Sequence, residues 1–218
     1  MNNQIKIRNI IKKYEKNKTI KVLNDISFNF ESGKIYSIVG PSGSGKSTLL
    51  NLLSLIDTPS SGTIEINNSK INFENKIIND NIRAKKIGII YQDKNLLSDF
   101  SAVENVYLPN LLLSNDHFSS MNLAKKIIKN IGLSSRLNHF PSELSGGENQ
   151  RIAIARALIN NPEIILADEP TGSLDFDNAK QIFKILLNLK NKNRIVIFAT
   201  HNRYFANMAD CKIKMISG

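Results

Sequence analysis

Three stretches of this 218-residue chain carry residue types whose order suits chemistry on a phosphorylated ligand. The first is GPSGSGKST, Gly40–Thr48, which contains the pattern G-x-x-x-x-G-K-S-T. Gly40, Gly43 and Gly45 let the backbone wrap closely, so that several N–H groups converge as an anion nest, with Pro41, Ser42 and Ser44 completing the loop. Lys46 offers a point charge to β- and γ-phosphates, and the Ser47 hydroxyl is a hard oxygen suited to Mg²⁺. Thr48 leads into an apolar run, and a helix there would turn its N-terminal donors and positive dipole end on the same anion. A strand before this pattern and a helix after it predict nucleotide binding.

The second stretch is Ile164-Ile165-Leu166-Ala167-Asp168-Glu169, an apolar strand ending in two carboxylates. Ligands of open parallel sheets sit at the carboxyl ends of strands, which places both acids at the edge shared with Lys46. Successive strand residues point in different directions, so the two acids can take different roles. Asp168 is expected to hold the Mg²⁺ shell, and Glu169 to polarise an attacking water as general base. The plain alternative, a solvated acidic turn before Pro170, loses ground beside a phosphate loop.

The third is LSGGENQR, Leu144–Arg151. Ser145 suits a helix N-cap, and Gly146 and Gly147 leave backbone amides open to an anion. One nucleotide needs one cradle, so a second one points to a second chain. The prediction is a head-to-tail dimer with C2 symmetry, in which Ser145–Gly147 of one subunit closes on the γ-phosphate held by the other.

The elements that must position these residues follow from the periodicity. Residues 4–7 and 20–30 alternate like strands, with Glu31-Ser32-Gly33 as a turn. Residues 34–39 form a short strand into the phosphate loop, and 49–56 a helix stopped by the turn cluster Asp57-Thr58-Pro59-Ser60-Ser61-Gly62. Residues 63–66 read as strand, 82–86 as the end of a short helix, and 87–92 as a buried strand. From 93 to 161 the pattern is helical, with Val103, Val106, Tyr107 and Leu111 in one run and Leu123, Ile127, Ile128 and Ile131 in another. Strands at 164–167, 194–200 and 212–216 then flank a helix over 178–189. The expected fold is α/β, a mostly parallel, helix-covered sheet built from residues 1–92 and 162–218, with a helical subdomain inserted at 93–161.

Composition narrows the class. Hydrophobic residues make up 41% and charged residues 22% of the chain, as in ordinary globular proteins. No apolar run approaches the roughly 18 residues of a membrane span, and the N-terminus lacks the apolar core of a signal peptide. A single cysteine, Cys211, excludes an internal disulfide and agrees with a reducing compartment. The net charge of +10 invites a nucleic-acid reading. Its lysines are scattered, however, and Ile, Lys and Asn together supply 83 of 218 residues, a skew expected of AT-rich coding sequence. No nucleic-acid partner is therefore expected, although a mild attraction to anionic headgroups is compatible with the charge.

On GPSGSGKST, LSGGENQR, ILADEPTGSLD and ATHN, in this order and spacing, the chain resembles the nucleotide-binding subunits of ATP-binding cassette (ABC) transporters over essentially its whole length. The resemblance implies a P-loop NTPase fold with an N-terminal antiparallel β subdomain, hydrolysis of ATP to ADP and phosphate, and ATP and Mg²⁺ as cofactors. It implies that Tyr14, in KKY, stacks on adenine, a strand-end tyrosine being the alternative. It implies that Gln92 reaches the metal and attacking water and senses a membrane partner. Asp175 would contact the opposite subunit, or cap the following helix, or both. His201 would hydrogen-bond the γ-phosphate, while His117 and His139 are read as surface residues. Asn149 and Asn202 stand where the family commonly has Gln and Asp.

PSELSGGENQRIAIARAL and LADEPTGSLD resemble the lipoprotein-release, macrolide-export and cell-division branch, much of which bacteriocin exporters share. That implies a homodimer on a separate integral-membrane permease, at the cytoplasmic face of the plasma membrane. Leu96, Leu97, Phe100, Val106 and Leu108 are expected to line a groove for the permease, with helical core as the equal alternative. Two rivals follow from the same resemblance. One is a DNA-repair or translation ATPase, whose long coiled coil or second cassette 218 residues do not hold. The other is a non-hydrolysing regulatory module, which the intact acids disfavour.

Overall fold

A computed structural model describes residues 3–15 and 19–216. Its strands fall into two sheets. In chain order, β1 (Gln4–Glu15), β2 (Thr19–Glu31), β4 (Ser61–Ile66) and β5 (Ser69–Lys70) form an antiparallel sheet of order β2-β1-β4-β5. The strands β3 (Ile35–Val39), β6 (Ile87–Ile90), β7 (Ile164–Asp168), β8 (Ile195–Ala199) and β9 (Cys211–Lys214) form a parallel sheet of order β6-β7-β8-β3-β9. IILAD of β7 and IVIFA of β8 are buried almost end to end. Such unbroken apolar strands require cover on both faces, as parallel sheets receive from their crossovers.

The helices provide that cover. They are α1 (Lys46–Leu53), α2 (Lys76–Lys86), α3 (Ala102–Ser114), α4 (His117–Asn130), α5 (Gly146–Leu158), α6 (Phe176–Asn188) and the short α7 (Arg203–Ala206). One face of the parallel sheet (Ile38, Leu166, Ile197) packs with α1 (Leu49, Leu52) against the antiparallel sheet (Ile5, Ile7, Ile64). The other face (Ile165, Val196, Phe198) packs on α5 and α6 through Ile154, Ile182 and Phe183. Phe183 and Phe205 stack there with ring centroids 4.0 Å apart. A third cluster joins α3, α4 and α5 through Val106, Ala124, Ile128, Ile152 and Ala155. Thus α5 belongs to two cores and ties the helical hairpin α3–α4 to the sheet. The tie is tight at Gly88 of β6, where a Cβ would lie 2.4 Å from the Ala157 carbonyl oxygen.

Two expectations change. The strand expected over residues 4–7 runs to Glu15. Its register against β2 shifts between Ile7 and Ile10, between Ile10 and Lys12, and between Lys12 and Lys13. Bulges of this kind break the two-residue period that sequence reading relies on. The groove expected from Leu96, Leu97, Phe100, Val106 and Leu108 does not form as one surface. Val106 is fully buried in the helical core and Leu108 is half-buried, whereas Leu97 and Phe100 are exposed. Helical periodicity locates an inward stripe but does not say which apolar side chains lie beyond it.

Candidate active site

Because β3, β7 and β8 are parallel neighbours, their carboxyl ends bring residues from four distant parts of the chain to one edge. Val22, Ser42, Gly43, Gly45, Lys46, Ser47, Thr48, Gln92, Glu169 and His201 line a cleft of about 540 Å³ there.

The loop after β3 is shaped by its glycines. Gly43 (φ +79°) and Gly45 (φ +90°) are left-handed, the region only glycine enters without strain. Gly45 is the N-cap of α1 and supplies no side chain to its first amides, which stay available to a ligand anion. A Cβ on Gly40 would lie 2.3 Å from the Met215 carbonyl oxygen, so the loop is pressed against the strand end. The Gly40 and Pro41 carbonyls each accept a 2.9 Å hydrogen bond from Lys46 Nζ. An ammonium has three donors, so one remains for a phosphate oxygen. Ser44 is buried, and its Oγ has no hydrogen-bond partner among the described residues.

The two acids at the end of β7 are held very differently. Burial pushes the Asp168 carboxyl up, against the lowering effect of the nearby Ser47 hydroxyl. Asp168 Oδ1 is buried and unpartnered among the described residues. A buried, unpaired carboxylate oxygen next to a serine hydroxyl is a donor set that suits a hard divalent cation such as Mg²⁺. Glu169 turns away from it because its backbone is left-handed (φ 44°), an unusual state for a glutamate. The Glu169 N–H donates to the Ala199 carbonyl (3.0 Å), and Glu169 Oε1 accepts the His201 N–H (2.9 Å). Oε1 also lies 2.9 Å from His201 Nδ1. The imidazole is 71% exposed in its side chain and the carboxylate 14%, so the pair spans the cleft surface and its floor. Oε1 is held by His201, and Oε2 has no hydrogen-bond partner among the described residues.

Gln92 follows β6 and joins this edge. A Cβ on Gly172 would lie 3.3 Å from Gln92 Nε2, so the turn after Glu169 packs on the glutamine amide. Arg156 of α5 holds the neighbouring turn, donating to the Lys94 and Asn95 carbonyls at 2.7 Å each. Lys94 Nζ reaches Ser173 Oγ at 2.9 Å. No spacing rule marks Arg156 or Lys94, because their partners are distant backbone and loop groups.

The third stretch folds as expected but stands apart from the cleft. Ser145 caps α5, accepting the Glu148 N–H at 3.2 Å, and Glu148 Oε2 accepts the Ser145 N–H at 2.8 Å. The Arg136 guanidinium, 2.9 Å from Glu148, joins this capping in pulling the Glu148 carboxyl down to about 2. Gly146 is open, a Cβ there meeting only Leu174 at 3.5 Å. Gly147 is closed by Asn178, whose Oδ1 would lie 2.9 Å from an added Cβ. Asp175 caps α6, accepting the Asn178 N–H (3.0 Å) and side-chain amide (2.6 Å). Asn178 therefore links Asp175 to the glycine pair, a contact that residue spacing does not reveal. Ser145, Gly146, Gly147 and Asp175 are not among the residues lining the cleft of a single chain.

Tyr14 also lies outside that lining. Its hydroxyl donates to Asp57 Oδ2 at 2.7 Å, with the Thr48 hydroxyl beside the same phenol oxygen. His117 is exposed and His139 half-buried, both away from the cleft. Asn149 donates to the Pro141 and Leu144 carbonyls, and Asn202 caps α7, so both departures have structural roles.

Residues 23–172 match the family model described as ABC transporter. The lipoprotein-releasing system ATP-binding protein LolD of Rickettsia bellii is 42% identical over 100% of this chain and 98% of its own length. That of Wigglesworthia glossinidia brevipalpis is 44% identical over 100% of this chain and 97% of its own. Neither relative is a bacteriocin exporter, and that expectation is not borne out. Among solved structures, the ATP-binding cassette MJ0796, in a dimeric post-hydrolysis state bound to ADP and Pi, superposes with TM-score 0.89 at 37% identity, covering 97% of this chain and 94% of that one. A dimeric structure of the MJ0796 ABC transporter cassette gives TM-score 0.89 at 38% identity, covering 98% and 95%. With its phosphate loop, acidic strand end and capped glycine pair on the cassette architecture, this chain belongs to the ABC transporter family as an ATP-binding subunit.

Proposed function

We propose that the protein hydrolyses Mg²⁺·ATP as a head-to-tail homodimer and that this cycle drives a membrane permease acting on lipoproteins. The Glu169–His201 pair in the phosphate-loop cleft carries the reading. It gives a general base whose one oxygen accepts the His201 backbone N–H and touches the imidazole Nδ1, and whose other oxygen has no hydrogen-bond partner among the described residues. Gly40–Thr48 wraps the phosphates, Lys46 meets the β- and γ-oxygens, and Ser47 and Asp168 hold the cation, with Gln92 at its edge. Bound there, Mg²⁺ neutralises phosphate charge. Ser145–Gly147 of one subunit faces the γ-phosphate of the other, and Asp175 crosses the same interface. Catalysis is then mostly positioning and electrostatics, and loss of the γ-phosphate opens the dimer. The cassette is one unit, residues 93–161 being a helical insertion into a core of 1–92 and 162–218.

Lipoprotein release rests on the LolD relatives, which match from end to end. No described helix is long and apolar enough to cross a membrane, and on this reading the permease holds the protein at the cytoplasmic face. A repair role would require a long coiled coil, but α3 and α4 have 13 and 14 residues. The test is Glu169→Gln. Phosphate release falls by about two orders of magnitude or more, and ATP produces a stable dimer on gel filtration. A monomer with ATP, or turnover at the wild-type rate, refutes the mechanism.

A further inference from the structure

Asp57 is the first residue of the helix-stopping turn, and in sequence it serves only to end α1. In the fold it is the centre of a compact polar cluster. Lys12 Nζ lies 2.6 Å from Asp57 Oδ1 and also donates to the Thr58 carbonyl at 2.7 Å. Tyr14 Oη donates to the other carboxylate oxygen, Oδ2, at 2.7 Å. Lys12 and Tyr14 of β1 thus meet on the same carboxylate. Lys12 is 8% exposed, unusual for a lysine, and its ammonium stands 4.7 Å from the centroid of the Tyr14 ring.

We infer that Asp57, fixed by Lys12, is a positioning residue that latches the Tyr14 ring for the nucleotide base. The inference rests on the reading of Tyr14 as the adenine platform and adds to it what holds the platform still. The two oxygens of Asp57 act separately, Oδ1 anchoring to Lys12 while Oδ2 fixes the phenol hydroxyl and thus the ring plane. The cation stands over one ring face and Tyr14 is 39% exposed, so a purine would stack on the opposite face. The Asp57 N–H donates to the Asn51 carbonyl of α1 at 3.2 Å, and Thr48 of the same helix lies beside the phenol oxygen. The latch therefore joins the strand end that would carry the base to the helix that would carry the phosphates. Burial opposes charge on Asp57, yet the bonds from Lys12 and Tyr14 outweigh it and keep the carboxyl below its usual range. Burial and then Asp57 raise the Tyr14 phenol, which stays a donor at neutral pH. Pre-setting a ring before binding removes an ordering cost from the complex.

The experiment is calorimetric titration of the full chain with ADP and with inorganic pyrophosphate, which has no base. Tyr14→Phe keeps the ring and loses the latch, Asp57→Ala removes the latch from the other side, and Tyr14→Ala removes the platform. Tyr14→Ala weakens ADP about ten-fold or more. Tyr14→Phe and Asp57→Ala each weaken it about five-fold. Pyrophosphate binds all three as it binds the wild type, and Asp57→Ala adds nothing once Tyr14 is Ala. If Tyr14→Ala weakens ADP while Tyr14→Phe and Asp57→Ala do not, the latch is wrong and the platform stands. Wild-type ADP affinity in Tyr14→Ala overturns the platform and the latch together. An equal loss for pyrophosphate in Asp57→Ala makes Asp57 a structural residue only and overturns the latch.

Discussion

At the scale of single residues, the site is built by giving adjacent side chains opposite environments. Asp168 and Glu169 are consecutive, but only Asp168 sits on the strand; Glu169 has left it through a left-handed backbone turn. Burial raises the Asp168 carboxyl, and this has a definite sign for stability. A carboxyl raised on folding favours the fold below its unfolded value and loses that contribution as pH rises through the folded value. Burial therefore opposes charge on Asp168 in the free protein, and on the proposed reading a cation bound beside it would offset that cost. Asp168→Asn is expected to stabilise the nucleotide-free protein by about 1 kcal/mol at pH 7 and to abolish the additional stabilisation that Mg²⁺ gives over ATP alone. Thermal melts with and without Mg²⁺ measure both effects. A variant whose melting temperature responds to Mg²⁺·ATP as the wild type does would remove Asp168 from the cation site.

At the scale of elements, helix termini do much of the positioning. Gly45 starts α1 without a side-chain cap and leaves its amides to a ligand. Ser145 starts α5 with a full capping box, and Arg136 braces the Glu148 of that box. Glu148 is depressed from 4.5 to about 2 on folding. A depressed carboxyl contributes stability above its unfolded value and loses it as pH falls through the folded value. Glu148→Gln is thus expected to cost about 1 kcal/mol near pH 7, and the gap to the wild type should narrow from about pH 4.5 toward pH 2. Urea midpoints at pH 7, 4 and 3 follow this. A gap that stays constant with pH would mean that Glu148 acts by packing, not charge.

At the scale of the whole molecule, the parallel sheet collects the catalytic groups, while the helical block holds the glycine pair away from them. That separation is what the proposed head-to-tail dimer would resolve, a second copy bringing its glycine pair to the cleft. The exposed apolar pair Leu97 and Phe100 lies on the segment between Gln92 and α3, next to a cleft of about 370 Å³ lined by Ile87, Tyr91, Pro109 and Arg156. Leu97 and Phe100 follow Gln92 by five and eight residues, so a permease segment seated there would dock on the chain that leaves that glutamine. Leu97→Glu with Phe100→Glu should leave the isolated ATPase near wild-type activity and lower its recovery with membranes from cells that contain the permease by about ten-fold, the effect of roughly 1.4 kcal/mol. Unchanged recovery rejects this surface.

Residue order alone made the expected phosphate chemistry and its sequence of motifs legible. The glycine-rich loop, the acidic strand end and the capped glycine pair are local, since each depends on neighbours a few residues apart, and the β/α alternation follows from hydrophobic period. Contacts between distant segments came from the folded chain: Glu169 with His201, Asp57 with Lys12 and Tyr14, Asn178 with Gly147, and the burial of Val106 beside the exposure of Leu97. They depend on strand register, on bulges such as those of β1, and on how helices stack. Local residue order does not encode these, because they are set by packing the whole chain at once.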